Sequence, residues 1–190
     1  MTDRKGDGQL FDVAIVGGGA SGTSAAYHLS GAGLSVALLE RHDMNTEASG
    51  RNAGSLHGQI QHEPFLEEGD GWASAWLPAL RFLADSLDLW DTLSEELGAD
   101  LQVGKKGGLL IADDVRQLPA IERKVAFENS VGIDSRMLSA DDVRKIAPWI
   151  TDDVVGGELC PIEGKANPLL VAPAFARRAV ERGAVIMSRT

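Results

Sequence analysis

Asp12-Val13-Ala14-Ile15-Val16-Gly17-Gly18-Gly19-Ala20-Ser21-Gly22 is a short apolar run that passes directly into G-x-G-x-x-G. The next residues, Thr23-Ser24-Ala25-Ala26-Tyr27-His28-Leu29, read as a helix. In such a turn the first glycine, Gly17, permits the tight reversal. The second, Gly19, lets the backbone approach a pyrophosphate, and the third, Gly22, lets helix and strand pack closely. The helix N-terminus then aims free N–H groups and the positive end of its dipole at the anion. The hexapeptide alone is weak evidence, and a tight βαβ turn without a ligand is the plain alternative. Context decides for a dinucleotide: a second strand, Ser35-Val36-Ala37-Leu38-Leu39, ends in Glu40. That acid stands close to the separation of about 20 residues expected for a carboxylate on a ribose diol.

The chain has 190 residues, 44% of them hydrophobic, so it can fill a core of its own. Its formal net charge is -10, with no run of Lys and Arg, which disfavours binding to nucleic acid or to an anionic membrane. The apolar runs are strand-sized, short of a bilayer span. The N-terminal stretch Met1 to Gln9 is polar and lacks the apolar centre of a signal peptide, so the expected setting is the cytoplasm. Cys160 is the only cysteine, which excludes an internal disulfide and a thiolate metal cluster.

Residues 11–40 form the βαβ unit. A segment without clear period follows from Arg41 to Gly71, too long for an idle loop. Trp72, Trp76, Leu80, Leu83, Leu87, Trp90, Leu93 and Leu97 then recur at spacings of three and four, one face of a long helix. The acids Glu67, Glu68 and Asp70 precede this face, where they suit the helix dipole, and Pro78 predicts a start or a kink. Past Gly98 short strands are expected at Leu101–Val103, Gly108–Ala112 and Val154–Cys160, with a helix over Leu118–Val131 and a shorter one after Ser139. Asn167-Pro168 opens a last helix to about Arg182, and Ala184–Ser188 reads as a strand. An NAD-type domain would reach a third parallel strand soon after Glu40. Here the βαβ unit is interrupted, as expected when a second domain is inserted into a flavin-binding one. The predicted class is α/β: an interrupted Rossmann-like domain with the start of an inserted α+β domain. The boundaries expected are 1–97, 98–166 for the insertion, and 167–190 for a helix and strand that return to the first domain.

With those features in order, the chain resembles the FAD-dependent oxidoreductases typified by D-amino-acid oxidase, glycine oxidase and sarcosine oxidase. The resemblance rests on the glycine turn, on Glu40-Arg41, on Ala48-Ser49-Gly50-Arg51-Asn52-Ala53-Gly54, and on the spacing to the inserted domain. The 48–54 segment is the more specific and is similar to the bacterial amine and imino-acid branch. The resemblance implies that Gly17, Gly19, Ala20, Ser21 and Gly22 sit at the pyrophosphate of FAD. Glu40 would hold the adenosine ribose, with Arg41 beside the adenine. Ser49, Gly50, Arg51, Asn52, Ala53, Gly54 and Ser55 would pass along the pyrophosphate, ribityl chain and ring. Small residues suit close backbone approach there, and Arg51 and Asn52 offer donors to anionic oxygens.

His57 is placed near the flavin edge, close to substrate. His57, His62 and Glu63 do not share one helical face, so no metal site is expected. His28 reads as a helix-surface residue and Cys160 as a small buried hydrophobe. No residue is assigned as catalytic acid, base or nucleophile. The resemblance also implies further substrate-domain strands and a return to the flavin domain, so the chain reads as an N-terminal portion. For the whole protein it implies oxidation of the C–N bond of an amino acid, imino acid or small secondary amine, with hydride passing to flavin N5. Two other readings stay open: a non-catalytic FAD-binding subunit completed by a second chain, and an NAD(P)-binding dehydrogenase.

Overall fold

The computed structural model describes residues 9–190, and the N-terminal reading of residues 1–8 lies outside them. In chain order the elements are β1 (Val13–Val16), α1 (Ala20–Gly31), β2 (Val36–Glu40), β3 (Ser55–Leu56), α2 (His62–Leu97), β4 (Gly108–Ala112), α3 (Leu118–Ser130), β5 (Arg136–Ser139), α4 (Ala140–Ile146), β6 (Gly156–Cys160), β7 (Gly164–Lys165), α5 (Pro168–Glu181) and β8 (Val185–Ser188). They pack as two compact units. The first takes the chain up to Gly54, Leu93–Gln102 and Ala166–Thr190; the second takes Ser55–Thr92 and Val103–Lys165. The division thus assigns residues 55–92 to the second unit, where the sequence suggested a boundary at 97. The reason lies in α2, whose Phe65, Ala73 and Leu80 pack with Ile60, Ile133 and Cys160.

In the first unit, β2 is the centre of a three-stranded parallel sheet of order β1-β2-β8, with Val13 opposite Val36 and Ala37 opposite Val185. Val36 and Leu38 are fully buried, as a central parallel strand demands. The third parallel strand does come, but only after Ala184. α5 lies against α1 through small residues, Ala26 facing a helix rich in Ala172, Ala176 and Ala179. Tyr27 is fully buried, its ring 5.6 Å from that of Phe175, and its hydroxyl donates to Glu96 Oε1 at 2.7 Å. Asn167 caps α5 as read from sequence, accepting from the Leu169 N–H at 2.9 Å.

In the second unit, β6 is the centre of an antiparallel sheet of order β4-β6-β5, and a two-stranded ribbon pairs β3 with β7. α3 packs Ile121 and Val125 against Ala112 of β4. Ser139 caps α4, accepting from the Asp142 N–H at 3.2 Å.

Three expectations need correction. No strand forms at Leu101–Val103; the nearest pairing is a single bridge from Gly104 to Lys165. Helix α2 begins at His62, inside the segment read as aperiodic. Its break falls at Gly69 (φ 73°, ψ -163°) rather than at Pro78, because glycine tolerates the left-handed region. Glu67, Glu68 and Asp70 therefore flank the break instead of preceding the whole helix.

The second unit also buries a charged cluster. Lys124 of α3, Glu128 one turn on and Glu158 of β6 are all fully buried. The Lys124 ammonium donates to Glu128 Oε1 at 2.7 Å, to both oxygens of Glu158 at 2.9 and 2.8 Å, and to Gln59 Oε1 at 2.9 Å. Glu128 also accepts from the Ile60 N–H at 2.8 Å and from the Ser135 hydroxyl. Two carboxylates share one ammonium in a dry site, so burial and Glu128 push the Glu158 pKa up to about 8. Between its ordinary value of 4.5 and about 8, the folded chain holds a proton that the unfolded chain has released. Stability therefore falls as pH rises through that window. Melting curves from pH 5 to 8 should show this decline, and Glu158→Gln should flatten it. An unchanged slope in Glu158→Gln would locate the proton elsewhere.

Candidate functional site

The glycine turn, the end of β2 and the loop 44–54 converge within the first unit. Gly17 has φ 110°, and open space lies where its side chain would be. A Cβ on Gly22 would collide with the Gly17 carbonyl oxygen, so the third glycine is required by helix–strand contact. At Gly19 the neighbour is part of the loop: a Cβ would lie 2.7 Å from Ser49 Oγ. That hydroxyl accepts from the Ala20 N–H at 3.0 Å, capping the first amide of α1 from outside the helix. Ser21 and Gly22 supply the following first-turn amides, which have no intrahelical partner.

Glu40 folds back on the turn. Its Oε2 accepts from the Gly18 N–H at 2.6 Å and its Oε1 from the His42 N–H at 2.7 Å. The N–H groups of His42 and Gly18 hold its carboxyl below the usual carboxylate range. Each oxygen keeps a second acceptor position, so the carboxylate can brace the turn and still take a hydroxyl pair.

In the 48–54 loop, Asn52 turns its amide inward. It donates to the carbonyls of Ala48 and Ser49, both at 2.9 Å, and accepts from the Gly54 N–H at 2.7 Å. Its donors shape the loop rather than facing outward as the sequence reading had them. Ala53 is exposed, and Gly54 has φ 74°, where a Cβ would run into the Ala166 carbonyl. Arg51 is exposed, 3.8 Å from Glu47, and lines a cleft of about 400 Å³ with Arg41 and Arg189. Arg189 is itself paired with both oxygens of Asp43 at 2.9 Å.

Asn45 escaped sequence reasoning. It sits at φ 62°, donates to the Pro168 carbonyl at 2.8 Å, and its N–H reaches the Gly18 carbonyl at 3.2 Å. A Cβ on Gly50 would meet the Asn45 carbonyl, so Gly50 serves this contact. The residue type is its one local signal, since Asn enters the left-handed region more readily than most residues.

In the second unit, Ser55 lies exposed in β3. His57 follows it, three-quarters exposed, with Nδ1 3.7 Å from Glu163 Oε1. His28 is exposed on α1 and Cys160 is fully buried. No group of three His, Cys, Asp or Glu that could hold a metal occurs among the described residues. No helix among them is long and apolar enough to cross a membrane.

The first-unit residues fit the pyrophosphate of FAD. The space before Gly17, the amides of Ser21 and Gly22 and the cradle fixed by Ser49 are the parts an anion at a helix N-terminus needs. The carboxylate of Glu40 stands beside that turn.

Comparison with known proteins agrees. The DAO family, described as FAD dependent oxidoreductase, matches residues 12–190. Sarcosine oxidase subunit beta of an Arthrobacter species is 30% identical over 185 residues, covering 93% of this chain and 42% of the relative. One of the subunits of anaerobic glycerol-3-phosphate dehydrogenase from Escherichia coli (strain K12) is 28% identical over 182 residues, covering 96% of this chain and 31% of the relative. The crystal structure of glycine oxidase from Geobacillus kaustophilus superposes with a TM-score of 0.79 at 25% identity, covering 94% of this chain and 46% of that one. The chain thus spans less than half the length of these relatives. An NAD(P)-dehydrogenase reading does not survive the family match. By its glycine turn, its sheet order and its match from Asp12 to Thr190, the chain belongs to the DAO family of FAD-dependent oxidoreductases.

Proposed function

We propose that the full-length protein oxidises the C–N bond of an amino acid, imino acid or small secondary amine. The first unit is its FAD-binding part and the second the beginning of its substrate part. The observation that carries the cofactor half is the Gly17–Gly22 turn braced by Glu40 and Ser49. The relatives named sarcosine oxidase and glycine oxidase support the amine half. Bound FAD supplies a two-electron acceptor. The chain's own residues hold the pyrophosphate at the α1 amides, fix the ribose at Glu40 and keep the turn rigid.

A relative named for glycerol-3-phosphate supports a second reading, oxidation at a C–O bond. Anaerobic bleaching of the flavin separates the two. Sarcosine, proline or an opine should bleach it, and bleaching only by glycerol 3-phosphate or a 2-hydroxy acid overturns the C–N reading. Relatives named as subunits support a partner chain in the assembly. β1 stands at the edge of its sheet, where a further strand would pair. Residues 1–190 alone are accordingly expected to hold FAD weakly and to turn nothing over.

Glu40→Ala should weaken FAD by roughly ten- to a hundredfold, the usual effect of losing a charged acceptor. Titration of apoprotein with FAD measures it. Affinity equal to wild type would remove Glu40 from the ribose.

A further inference from the structure

Within the second unit lies a cleft of about 550 Å³ whose walls include Glu163, His57, Gln59, His62, Trp76 and Leu83. Among the described residues no Arg or Lys lines it; its one carboxylate is that of Glu163, with His57 Nδ1 3.7 Å from Oε1. That carboxylate is held firmly. Oε1 accepts from the N–H groups of Gly58 at 2.7 Å and Gln59 at 3.0 Å, and Oε2 accepts from Gln59 Nε2 at 2.8 Å. The Gln59 amide cannot turn over, because its oxygen is bound by Lys124 at 2.9 Å.

A carboxylate accepts about four hydrogen bonds, so Oε2 keeps one position free. Gly108 lets the carboxylate lie against the backbone of β4, since a Cβ there would collide with Oε2. The side chain of Glu163 retains only 9% exposure, so a partner reaching Oε2 binds in a poorly solvated place. Charge-assisted bonds are strong there. Burial and the charge of Lys124 hold His62 below the usual imidazole range, so it adds no cation at neutral pH. The Trp76 indole N–H is withdrawn from water without a partner, a donor that suits a ligand oxygen. Lys106 and Lys165 line an adjoining cleft that shares His57, Gly108 and Glu163 with this one, and neither lysine lines the cleft itself.

We infer that this cleft binds a protonated amine, the ammonium donating to Glu163 Oε2 while the hydrocarbon body lies against Trp76 and Leu83. Glu163 is then the residue that selects a cationic nitrogen over a neutral isostere. The inference rests on the proposed C–N oxidation only in taking that amine to be a substrate.

The test uses full-length protein labelled with fluorotryptophan, with the Trp76 fluorine resonance assigned through Trp76→Phe. Two six-membered ring probes are titrated at neutral pH: morpholine, which carries an ammonium and an ether oxygen, and dioxane, in which oxygen replaces the nitrogen. Morpholine should move the Trp76 resonance and bind roughly ten- to a hundredfold more tightly than dioxane. Glu163→Gln should erase that preference. Because Glu163 also braces residues 58–59, Leu83→Trp provides a second variant that fills the cleft and leaves the carboxylate intact. It should abolish the morpholine response.

Equal response to the two probes, retained preference in Glu163→Gln, or morpholine binding in Leu83→Trp each overturns the inference. Flavin bleaching is scored separately. Bleaching by amines without this binding refutes the cleft alone, and binding without bleaching refutes the C–N reading alone.

Discussion

Gly22→Val is expected to lower FAD affinity by on the order of a hundredfold and to destabilise the first unit. The cause is backbone contact. A Cβ at position 22 runs into the Gly17 carbonyl oxygen, and the methyl of Ile15 stands just behind at 3.4 Å. No rotamer relieves this, since the Cβ itself is at fault. Relief requires α1 to move away from β1, and such a shift also displaces the Ser21 and Gly22 amides and breaks the Ala20–Ser49 hydrogen bond. Gly19→Val is a milder case, because the Ser49 hydroxyl is a side-chain atom that can swing aside. Titration of the apoproteins orders the two. FAD binding by Gly22→Val within threefold of wild type would mean that the turn is not the pyrophosphate cradle.

Lys124→Met is expected to cost the protein about 3–5 kcal/mol, the usual penalty for stranding a buried charge. In a protein of this size that corresponds to a fall in Tm of roughly 10 °C. The ammonium is the shared donor of Glu128, Glu158 and Gln59, so its loss leaves carboxylate in a dry site and frees the amide that grips Glu163. Adding Glu128→Gln and Glu158→Gln to Lys124→Met should recover most of the loss, since neutral amides carry no stranded charge. Differential scanning calorimetry of the single and triple variants decides. A single variant as stable as wild type would mean that the cluster contributes nothing net.

Much of the first unit could be read from residues close in sequence. Gly17, Gly22, Glu40, the Asn167-Pro168 start and the end of α5 all announce themselves within a few positions, because turns, caps and parallel strands have local chemistry. What escaped depends on partners far along the chain. Glu163 matters because it reaches the Gly58 amide, and Asn45 because it reaches the Pro168 carbonyl. Lys124 and Glu128 look like an ordinary exposed pair one helical turn apart; only β6, by placing Glu158 against them, makes the site dry. β5 escaped for another reason: Arg136–Ser139 is largely exposed and lacks an alternating pattern, so its pairing with β6 was invisible. The ribbon of β3 and β7 is two residues deep on each side, too short to leave a periodic signal.

The order of strands in the first sheet bears on how the protein is made. β2 finds its neighbour β8 only after every residue of the second unit has left the ribosome, because the stretch between Glu40 and Val185 contains all of it. Loop closure grows slowly with length, about 0.6 kcal/mol for each doubling, so the pairing is feasible but late. A second unit that has already folded draws the ends of that stretch together and shortens the effective loop. Nascent chains arrested when Lys165 has just cleared the ribosome should therefore protect the β4-β6-β5 sheet from proteolysis while β1 and β2 remain cleavable. The nucleotide cradle, though it begins near the N-terminus, matures after the insertion that interrupts it.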